Sequence, residues 1–290
     1  MNQISSQTPI ILDGKTLAAN IRQELKVRST LFQEQVGRQP VLATILVGSD
    51  PASATYVKMK GKACESAAMG SKKIELPETT STTELLSVID DLNNDATIDG
   101  ILLQHPVPSQ IDERACFDRI APEKDVDGVT TLGFGRISFG LPAYASCTPA
   151  GIMRLLQEYN IEIEGKRAVV VGRSAILGRP LAALLLEANA TVTVCHSKTK
   201  DLASVVSQGD LVFACVGRPN FIKGDWLKQG VVLVDAGYNE GNVGDAEYES
   251  CFSKCMYITP VPGGVGPMTI AMLLNHTMLA AEQTKSAQLK

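Results

Sequence analysis

The apolar positions of this chain recur with two different spacings, which predicts alternating helices and strands. Leu17, Ile21 and Leu25 lie at helical spacing, so we expect an amphipathic helix over residues 14–35. Val41–Val47 is a run of apolar and β-branched residues that is typical of a buried strand. The alternation continues with a helix from about 53, a strand at 71–76, a helix to 94 that opens on a capping-box pattern at 81–84, and a strand at 100–104.

The second half of the chain has the same rhythm. Strands are predicted at 168–171, 191–195, 211–215, 231–235 and about 256–260, with helices at 174–187 and from about 268. Short buried strands separated by helices indicate a parallel sheet that helices cover on both faces. We therefore predict an α/β protein with two α/β domains, the second a Rossmann-like parallel sheet.

The segment between the halves has no clear period. Residues 125–146 are rich in glycine and turn residues, so loops and a domain boundary are expected there. Thr148 followed by Pro149 has the pattern of a helix N-cap with proline at the first helical position.

A strand that breaks at a glycine is a candidate phosphate-binding turn. Residues 169–171 form an apolar run that ends at Gly172, and a helix is predicted soon after it. Glycine lets the backbone approach a ligand, and the free N–H groups of a helix N-terminus attract an anion. The usual G-x-G-x-x-G motif would need glycine at positions 174 and 177, which are Ser174 and Leu177 here. The glycines of this segment are Gly172 and Gly178. The residues alone leave an ordinary strand-to-helix turn open.

The end of the next strand discriminates between dinucleotides. An Asp or Glu there would bind the ribose 2′-hydroxyl of NAD. Strand 191–195 instead ends in His196, Ser197 and Lys198, and Arg173 lies in the preceding turn. A dinucleotide site with this chemistry favours NADP, because a hydroxyl and cations accept a 2′-phosphate. A solvated loop at the strand end is the alternative.

Composition excludes several classes of protein. The 290 residues suffice for about two domains, and 44% apolar with 20% charged residues is ordinary for a globular chain. A net charge of −4 does not indicate nucleic acid or an anionic membrane as a partner, and no apolar run approaches the ~20 residues of a membrane span. Residues 1–9 are polar and uncharged, unlike a signal or transit peptide, so we expect a cytoplasmic protein.

The cysteines and histidines do not form a recognisable ligand pattern. The seven cysteines are odd in number and scattered, which indicates reduced thiols and not a disulfide framework. No two of the three histidines lie at metal-ligand spacing, so no metal site is expected.

Two side chains four residues apart are candidates for catalysis. Tyr56 and Lys60 would share one helix face. The ring could stack on a flat heteroaromatic substrate while a lysine of lowered pKa transfers a proton. Lys58 and Lys62 crowd the same segment, so a solvated basic face is the alternative. Gln104, at a strand end, could orient such a lysine or simply cap the strand.

Two further segments could contact a ligand. Asp125 and Asp127 are two residues apart and would point to opposite sides of an extended segment, so only one is expected to face a ligand. A solvated turn before Gly128 is the alternative. The loop at 262–267 contains two prolines and three glycines and could pack against a ring or a ribose. A plain turn into a helix explains its composition nearly as well.

Together these segments resemble the bifunctional methylenetetrahydrofolate dehydrogenase/cyclohydrolase family. The last matching segment is long and very specific, and the matches run in order over nearly the whole chain. They are YVxxK at 56–60, GILLQHP at 100–106, KDVDG at 124–128, CTP at 147–149, VGRS at 171–174, CHSKT at 195–199 and TPVPGGVGPMT at 259–269.

The resemblance implies two reactions in one catalytic cleft between the domains. Hydride passes from 5,10-methylenetetrahydrofolate to NADP⁺, and water then opens the methenyl product to 10-formyltetrahydrofolate. Lys60 would handle the proton transfers, Gln104 would tune and position it, Tyr56 would stack on the folate, and Asp127 would hydrogen-bond the pterin ring.

The resemblance also implies the binding sites and the assembly. The folate and the nicotinamide would border the loop formed by Pro262, Gly263, Gly264 and Val265. Residues 1–147 plus 268–290 would form the catalytic folate-binding domain, and 148–267 the NADP-binding domain through which a homodimer forms. The residues assigned to the cofactor are Gly172, Arg173, Ser174, Ser197, Gly178 and Thr148.

Three positions depart from the family pattern. Ser146 replaces a proline, and Ala150 and Gly61 replace basic residues. The lost positive charge could weaken binding of a polyglutamate tail or alter the pKa of Lys60. The alternative functions are a dehydrogenase without cyclohydrolase activity, a Rossmann dehydrogenase of the shikimate or amino-acid type, and a catalytically silent NADP- or folate-binding regulator.

Overall fold

The computed structural model describes residues 8–288, in which strands and helices alternate. The strands are β1 (Ile10–Ile11), β2 (Val41–Val47), β3 (Gly70–Leu76), β4 (Gly100–Leu103), β5 (Arg167–Val171), β6 (Thr191–Cys195), β7 (Leu211–Ala214), β8 (Val231–Asp235) and β9 (Cys255–Ile258). The helices are α1 (Gly14–Val36), α2 (Pro51–Ser66), α3 (Thr82–Asn94), α4 (Glu113–Arg119), α5 (Thr131–Ser138), α6 (Cys147–Glu158), α7 (Gly178–Glu187), α8 (Leu202–Val206), α9 (Tyr248–Phe252) and α10 (Val265–Gln288), with a 3₁₀ turn at Gly224–Trp226.

The chain divides into two compact units, each with its own parallel sheet. The six-stranded unit consists of the residues up to Ala18 together with Thr148–Thr269. The three-stranded unit consists of Ala19–Cys147 together with the residues from Ile270 onward. The predicted architecture of two α/β domains is thus confirmed.

The three-stranded unit is built around β2. Its sheet has the order β3-β2-β4, and Leu42 of β2 lies opposite Gly100 of β4. Six of the seven β2 residues are buried, which explains the continuous apolar run at this strand. Phe117 of α4 packs into the same core and is almost fully buried. The predicted capping box of α3 is present, because Ser81 Oγ accepts from Glu84 N–H and Glu84 Oε2 accepts from Ser81 N–H.

The six-stranded unit has the order β1-β9-β8-β7-β5-β6, with every pair parallel. From β5 the chain continues to β6 on one side and then crosses to β7 on the other side. The strand order therefore reverses between β5 and β7. In open α/β sheets, ligands bind at such a reversal, in the crevice beyond the carboxyl ends of the strands.

The N-terminal segment differs from the expected domain division. Ile10 pairs with Tyr257, and Leu12 N–H donates to the Ile258 carbonyl at 2.8 Å, so β1 forms the edge of the six-stranded sheet. The division by sequence places these residues in the other domain, because β1 is too short to show a hydrophobic pattern.

Three predicted boundaries are wrong. The segment at 125–146 contains helix α5, whose N-cap Thr130 accepts from Gly133 N–H at 2.9 Å; its glycines hide the helical period. Helix α7 begins at Gly178 and not at residue 174, because residues 175–177 form a turn. Helix α10 begins at Val265 and not near 268, so the first turn of this helix uses residues that the sequence assigns to a loop.

Candidate functional site

Lys60 and Gln104 meet at the centre of the candidate site in the three-stranded unit. Lys60 lies on α2, and Gln104 directly follows β4. Lys60 Nζ donates to Gln104 Oε1 at 2.9 Å, and Gln104 Nε2 donates to the His105 carbonyl at 2.8 Å. The second bond fixes the orientation of the amide, so its oxygen and not its nitrogen faces the lysine. A neutral acceptor of this kind holds the amine in place without adding a charge that would keep it protonated.

The surroundings of Lys60 favour loss of its proton. Burial lowers the pKa of the Lys60 ammonium below its usual range, and the negative charge of Asp127 opposes this shift. Part of the surface of Lys60 is still exposed to solvent, so a ligand can reach the amine. The site therefore holds an amine that is easier to deprotonate than a solvated lysine, next to one carboxylate that limits the effect.

Replacing Asp127 with asparagine is expected to lower the pKa of Lys60 further. The substitution removes a nearby negative charge that stabilises the ammonium and leaves the burial unchanged. A pH titration of the Lys60 side-chain carbon signal by NMR, in the wild type and in Asp127→Asn, measures the two values. The same titration in Glu65→Gln is the control, since Glu65 is exposed on the same helix. A Lys60 pKa that rises or stays constant in Asp127→Asn would contradict this electrostatic account.

Tyr56 lies one helical turn before Lys60 on α2 and is 42% exposed. An exposed ring on the face that carries the candidate base is free to stack on a planar ligand. Helix α2 is capped by Asp50, whose Oδ2 accepts from Ser53 N–H at 2.7 Å, so the start of this helix is fixed. Gly61 has room for a side chain, because an added Cβ would contact only Ser71 Oγ, at 3.8 Å.

The two aspartates of the 124–128 segment have different environments. Asp125 is buried, and its carboxylate accepts from Val129 N–H and Thr130 N–H at 3.0 Å each. Burial raises the pKa of Asp125 to about 6. Asp127 is half-buried and acts electrostatically on Lys60. Asp125 is therefore committed to shaping the turn, which leaves Asp127 as the candidate ligand contact.

Cys147 and His276 hold the backbone on both sides of Asp127. The Val126 carbonyl accepts from Cys147 Sγ at 3.3 Å and from His276 Nδ1 at 2.9 Å, and the Asp127 carbonyl accepts from Cys147 N–H at 3.2 Å. Burial lowers the pKa of His276, so its neutral ring donates from Nδ1. The sequence analysis assigned no role to this histidine, because a lone histidine within an apolar helix shows no spacing signal.

In the six-stranded unit, Gly172 and Gly178 form the tight turn after β5. Gly172 has φ +136°, and a Cβ there would overlap the carbonyl oxygen of Cys215. A Cβ on Gly178 would overlap the carbonyl oxygen of Gly172, and Ser174 Oγ accepts from Gly178 N–H at 3.4 Å. The turn is thus closed by two glycines although the G-x-G-x-x-G motif is incomplete. Residues 173–176 are exposed, so a phosphate can approach the backbone of this turn. The first turn of α7 offers no further N–H donors, because Gly178 N–H and Arg179 N–H donate to Ser174 and Pro180 has no N–H.

The predicted 2′-phosphate residues follow neighbouring strands. Val171 at the end of β5 is in register with Cys195 at the end of β6, so Arg173 and Ser197 extend from the same edge of the sheet, and both are exposed. The segment after β6 is ordered locally, since His196 N–H donates to Thr199 Oγ1 at 2.9 Å. With no acidic residue at this strand end, the residues present fit NADP.

The remaining predicted residues of this unit lie where α6 and α10 begin. Thr148 Oγ1 is 3.0 Å from Thr269 Oγ1, which joins the first turns of these helices. In the proline–glycine loop, Gly264 N–H donates to the Pro260 carbonyl at 2.9 Å, and Lys15 N–H donates to the Gly263 carbonyl at 2.8 Å. The loop is therefore fixed against the start of α1.

Comparison with known proteins identifies the family. Family models described as the catalytic domain and the NAD(P)-binding domain of tetrahydrofolate dehydrogenase/cyclohydrolase match residues 12–127 and 146–285. The chain is 60% identical over 276 residues to a bifunctional protein FolD of Shouchella clausii, covering 95% of this chain and 99% of that protein.

Solved structures agree. The bifunctional FolD methylenetetrahydrofolate dehydrogenase/cyclohydrolase of Campylobacter jejuni superposes with a TM-score of 0.93 at 46% identity, covering 94% of this chain and 98% of that chain. The dehydrogenase-cyclohydrolase FolD of Trypanosoma brucei, solved with NADP cofactor and an inhibitor, gives 0.92 at 35% identity, covering 96% and 99%. With both domains matched in order over nearly its whole length, the chain belongs to the tetrahydrofolate dehydrogenase/cyclohydrolase family.

Proposed function

We propose that this enzyme oxidises 5,10-methylenetetrahydrofolate to the 5,10-methenyl form with NADP⁺ and then hydrolyses that product to 10-formyltetrahydrofolate. The observation that carries the proposal is the 2.9 Å bond between Lys60 Nζ and Gln104 Oε1 at a site where burial favours the neutral amine. The bound nicotinamide supplies hydride acceptance, which no side chain can provide.

The hydrolytic step requires Lys60 as the free amine, the form that burial of its side chain favours. Water adds to the cationic methenyl carbon as one of its protons passes to the neutral amine of Lys60. The C–N bond to the pterin nitrogen then breaks, that nitrogen takes up a proton, and the hydroxyl proton leaves as the formyl C=O forms. The net result is one added water and one released proton. Gln104 keeps the amine directed at the reacting carbon, Tyr56 stacks on the folate, and Asp127 binds the pterin ring.

NADP is held by the turn after β5 and the segment after β6. The backbone of the exposed residues 173–176 receives the pyrophosphate, and Arg173 and Ser197 receive the 2′-phosphate. The support for this assignment is the pair of glycines that close the turn and the absence of an acidic residue where β6 ends. Thr148 and the Pro262–Val265 loop border the same cofactor.

Replacing Arg173 with alanine is expected to reduce the preference for NADP over NAD by about ten- to hundredfold, because a charged hydrogen bond contributes about 1.5–3 kcal/mol. The affinity for NAD should change little, since NAD lacks the phosphate. Dehydrogenase KM values for both cofactors measure the ratio. Arg167→Ala is the control, since Arg167 is exposed at the first position of β5, at the opposite edge of the same sheet. Equal losses for NADP and NAD would show that Arg173 does not recognise the 2′-phosphate.

A spectrophotometric assay with 5,10-methylenetetrahydrofolate tests the whole proposal. NADPH formation with accumulation of 10-formyltetrahydrofolate establishes both activities, and acid conversion of that product to the methenyl form quantifies it. Accumulated methenyltetrahydrofolate would leave a dehydrogenase alone. Absence of turnover in a folded protein would favour a silent binder. The retained pair of Lys60 and Gln104 argues against both alternatives.

The assembly and the compartment complete the proposal. A homodimer through the six-stranded unit is supported by the edge strand β6, where Val194 is 38% exposed, and by the neighbouring α7, where Leu186 is 65% exposed. Sedimentation equilibrium gives the oligomeric state, and a monomer at micromolar concentration would reject this assembly.

We assign the enzyme to the cytoplasm because all seven cysteines carry free, buried thiols. Among residues 8–288, no helix has the length and hydropathy needed to cross a membrane.

A further inference from the structure

Asp245 is a fully buried carboxylate that gathers four donors from two loops of the six-stranded unit. Its Oδ2 accepts from Val216 N–H at 2.6 Å and from Gly217 N–H at 2.8 Å. Its Oδ1 accepts from Arg218 N–H at 2.9 Å and from Asn239 Nδ2 at 3.1 Å. Three consecutive backbone N–H groups thus converge on one side chain, so the path of residues 216–218 depends on this carboxylate.

A second buried carboxylate fixes Asp245 itself. Asp235, the last residue of β8, accepts from Asp245 N–H at 3.0 Å and from Gly237 N–H at 2.9 Å through Oδ1. Its Oδ2 accepts from Ala246 N–H at 2.8 Å. Asp235 therefore fixes the backbone of Asp245 to the end of β8. The carboxylate of Asp245 in turn fixes the backbone of residues 216–218.

Residues 216–218 leave the carboxyl end of β7, on one side of the strand-order reversal. The turn at Gly172–Gly178 leaves the carboxyl end of β5, on the other side. The two segments begin side by side, because Cys215 N–H donates to the Val171 carbonyl at 2.9 Å and the Cys215 carbonyl closes over Gly172. Residues 216–218 are thus one wall of the crevice in which an α/β sheet binds its dinucleotide.

We propose that Asp245 is a positioning residue for the dinucleotide, holding residues 216–218 as the wall of the crevice opposite the Gly172–Gly178 turn. This inference rests on the proposed function, because that function places NADP in the crevice. Because its side chain is fully buried, Asp245 acts through the backbone of the wall.

Replacing Asp245 with asparagine tests this role. The amide is nearly isosteric, but it sets an NH₂ group against backbone N–H donors, so the wall must move. We expect the Kd for NADP to rise at least tenfold, with the dehydrogenase KM for NADP rising in parallel. Cyclohydrolase activity, assayed without nucleotide, depends on Lys60 and Gln104 in the other unit and should stay within twofold of the wild type.

Two variants make the test decisive. Asp210→Asn is the matched control, because Asp210 precedes β7 at the opposite edge of the same sheet and also accepts a backbone N–H, from Arg167 at 2.7 Å; it should leave NADP binding unchanged. If Asp245→Asn does not fold, Asn239→Ala removes only one of the four donors, and a rise in Kd of about two- to fivefold is expected.

The outcomes separate the inference from the proposed function. Wild-type affinity for NADP in Asp245→Asn, or in Asn239→Ala when the first variant does not fold, would overturn the positioning role. A parallel loss of cyclohydrolase activity would overturn it too, because it would show a general effect on folding. If the wild-type protein itself neither binds nor reduces NADP, the proposed function fails, and this inference falls with it whatever the variants show.

Discussion

Replacing Lys60 with methionine is expected to lower the cyclohydrolase kcat by about 10²–10⁴-fold, the range that a positioned general base contributes. Methionine keeps most of the length and apolar volume of the side chain, so α2 and its packing should persist. It removes the amine that donates to Gln104 Oε1 at 2.9 Å and that we propose as the acceptor of the proton from water. NADP affinity should not change, because the nucleotide residues belong to the other unit.

The measurement is hydrolysis of 5,10-methenyltetrahydrofolate in the absence of nucleotide. Lys58→Met and Lys62→Met are matched controls, since both lysines are exposed on α2 and flank Lys60. Both should hydrolyse the substrate at close to the wild-type rate. Full activity in Lys60→Met would assign proton transfer to another group while leaving the family membership intact.

Replacing Gly172 with alanine is expected to destabilise the six-stranded unit by about 2–5 kcal/mol, from backbone strain and overpacking together. Its φ of +136° is a conformation that residues with a Cβ rarely adopt, and the new methyl group would overlap the Cys215 carbonyl. To relieve the overlap, the carboxyl ends of β5 and β7 must separate. NADP affinity should therefore fall by more than tenfold even where the variant remains folded.

Denaturant unfolding and NADP titration measure the two effects. Gly165→Ala is the control, because Gly165 also has a positive φ, of +72°, but no atom lies within 4 Å of its added Cβ. It should cost only about 1 kcal/mol of strain and leave NADP binding intact. Equal effects of the two substitutions would show that the contact with Cys215 has no special importance.

Buried strands were the part of the fold that the sequence predicted best. β2 and β8 are almost entirely buried, and strands covered on both faces consist of contiguous apolar and β-branched residues. The starts of α7 and α10 were harder to predict, because glycine and proline near a helix start resemble the composition of a loop. The pairing of β1 with β9 had no signal at all, since a two-residue strand carries no pattern.

In the candidate site too, local sequence patterns predicted only contacts between residues close together in the chain. The spacing of Tyr56 and Lys60 in the sequence is enough to predict that they share one helix face. The bond between Lys60 and Gln104 joins positions 44 residues apart, and no local pattern encodes such a contact. The residues alone left two interpretations of Gln104, a partner of the lysine or a cap of the strand, and the resemblance to a family favoured the first. Neither the local spacing nor the resemblance to a family indicated the hydrogen bond between His276 and the Val126 carbonyl, because it depends on packing between distant elements.

The pairing of β1 with β9 also dictates an order of events during synthesis. Ile10 is synthesised 247 residues before its partner Tyr257. β5 to β8 can associate as they appear, whereas the edge position of β1 stays open until β9 is in place, because contacts between distant parts of a chain form late. β1 thus remains without its partner while all the residues between the two strands are being made, and its sheet hydrogen bonds form only after β9 has been synthesised.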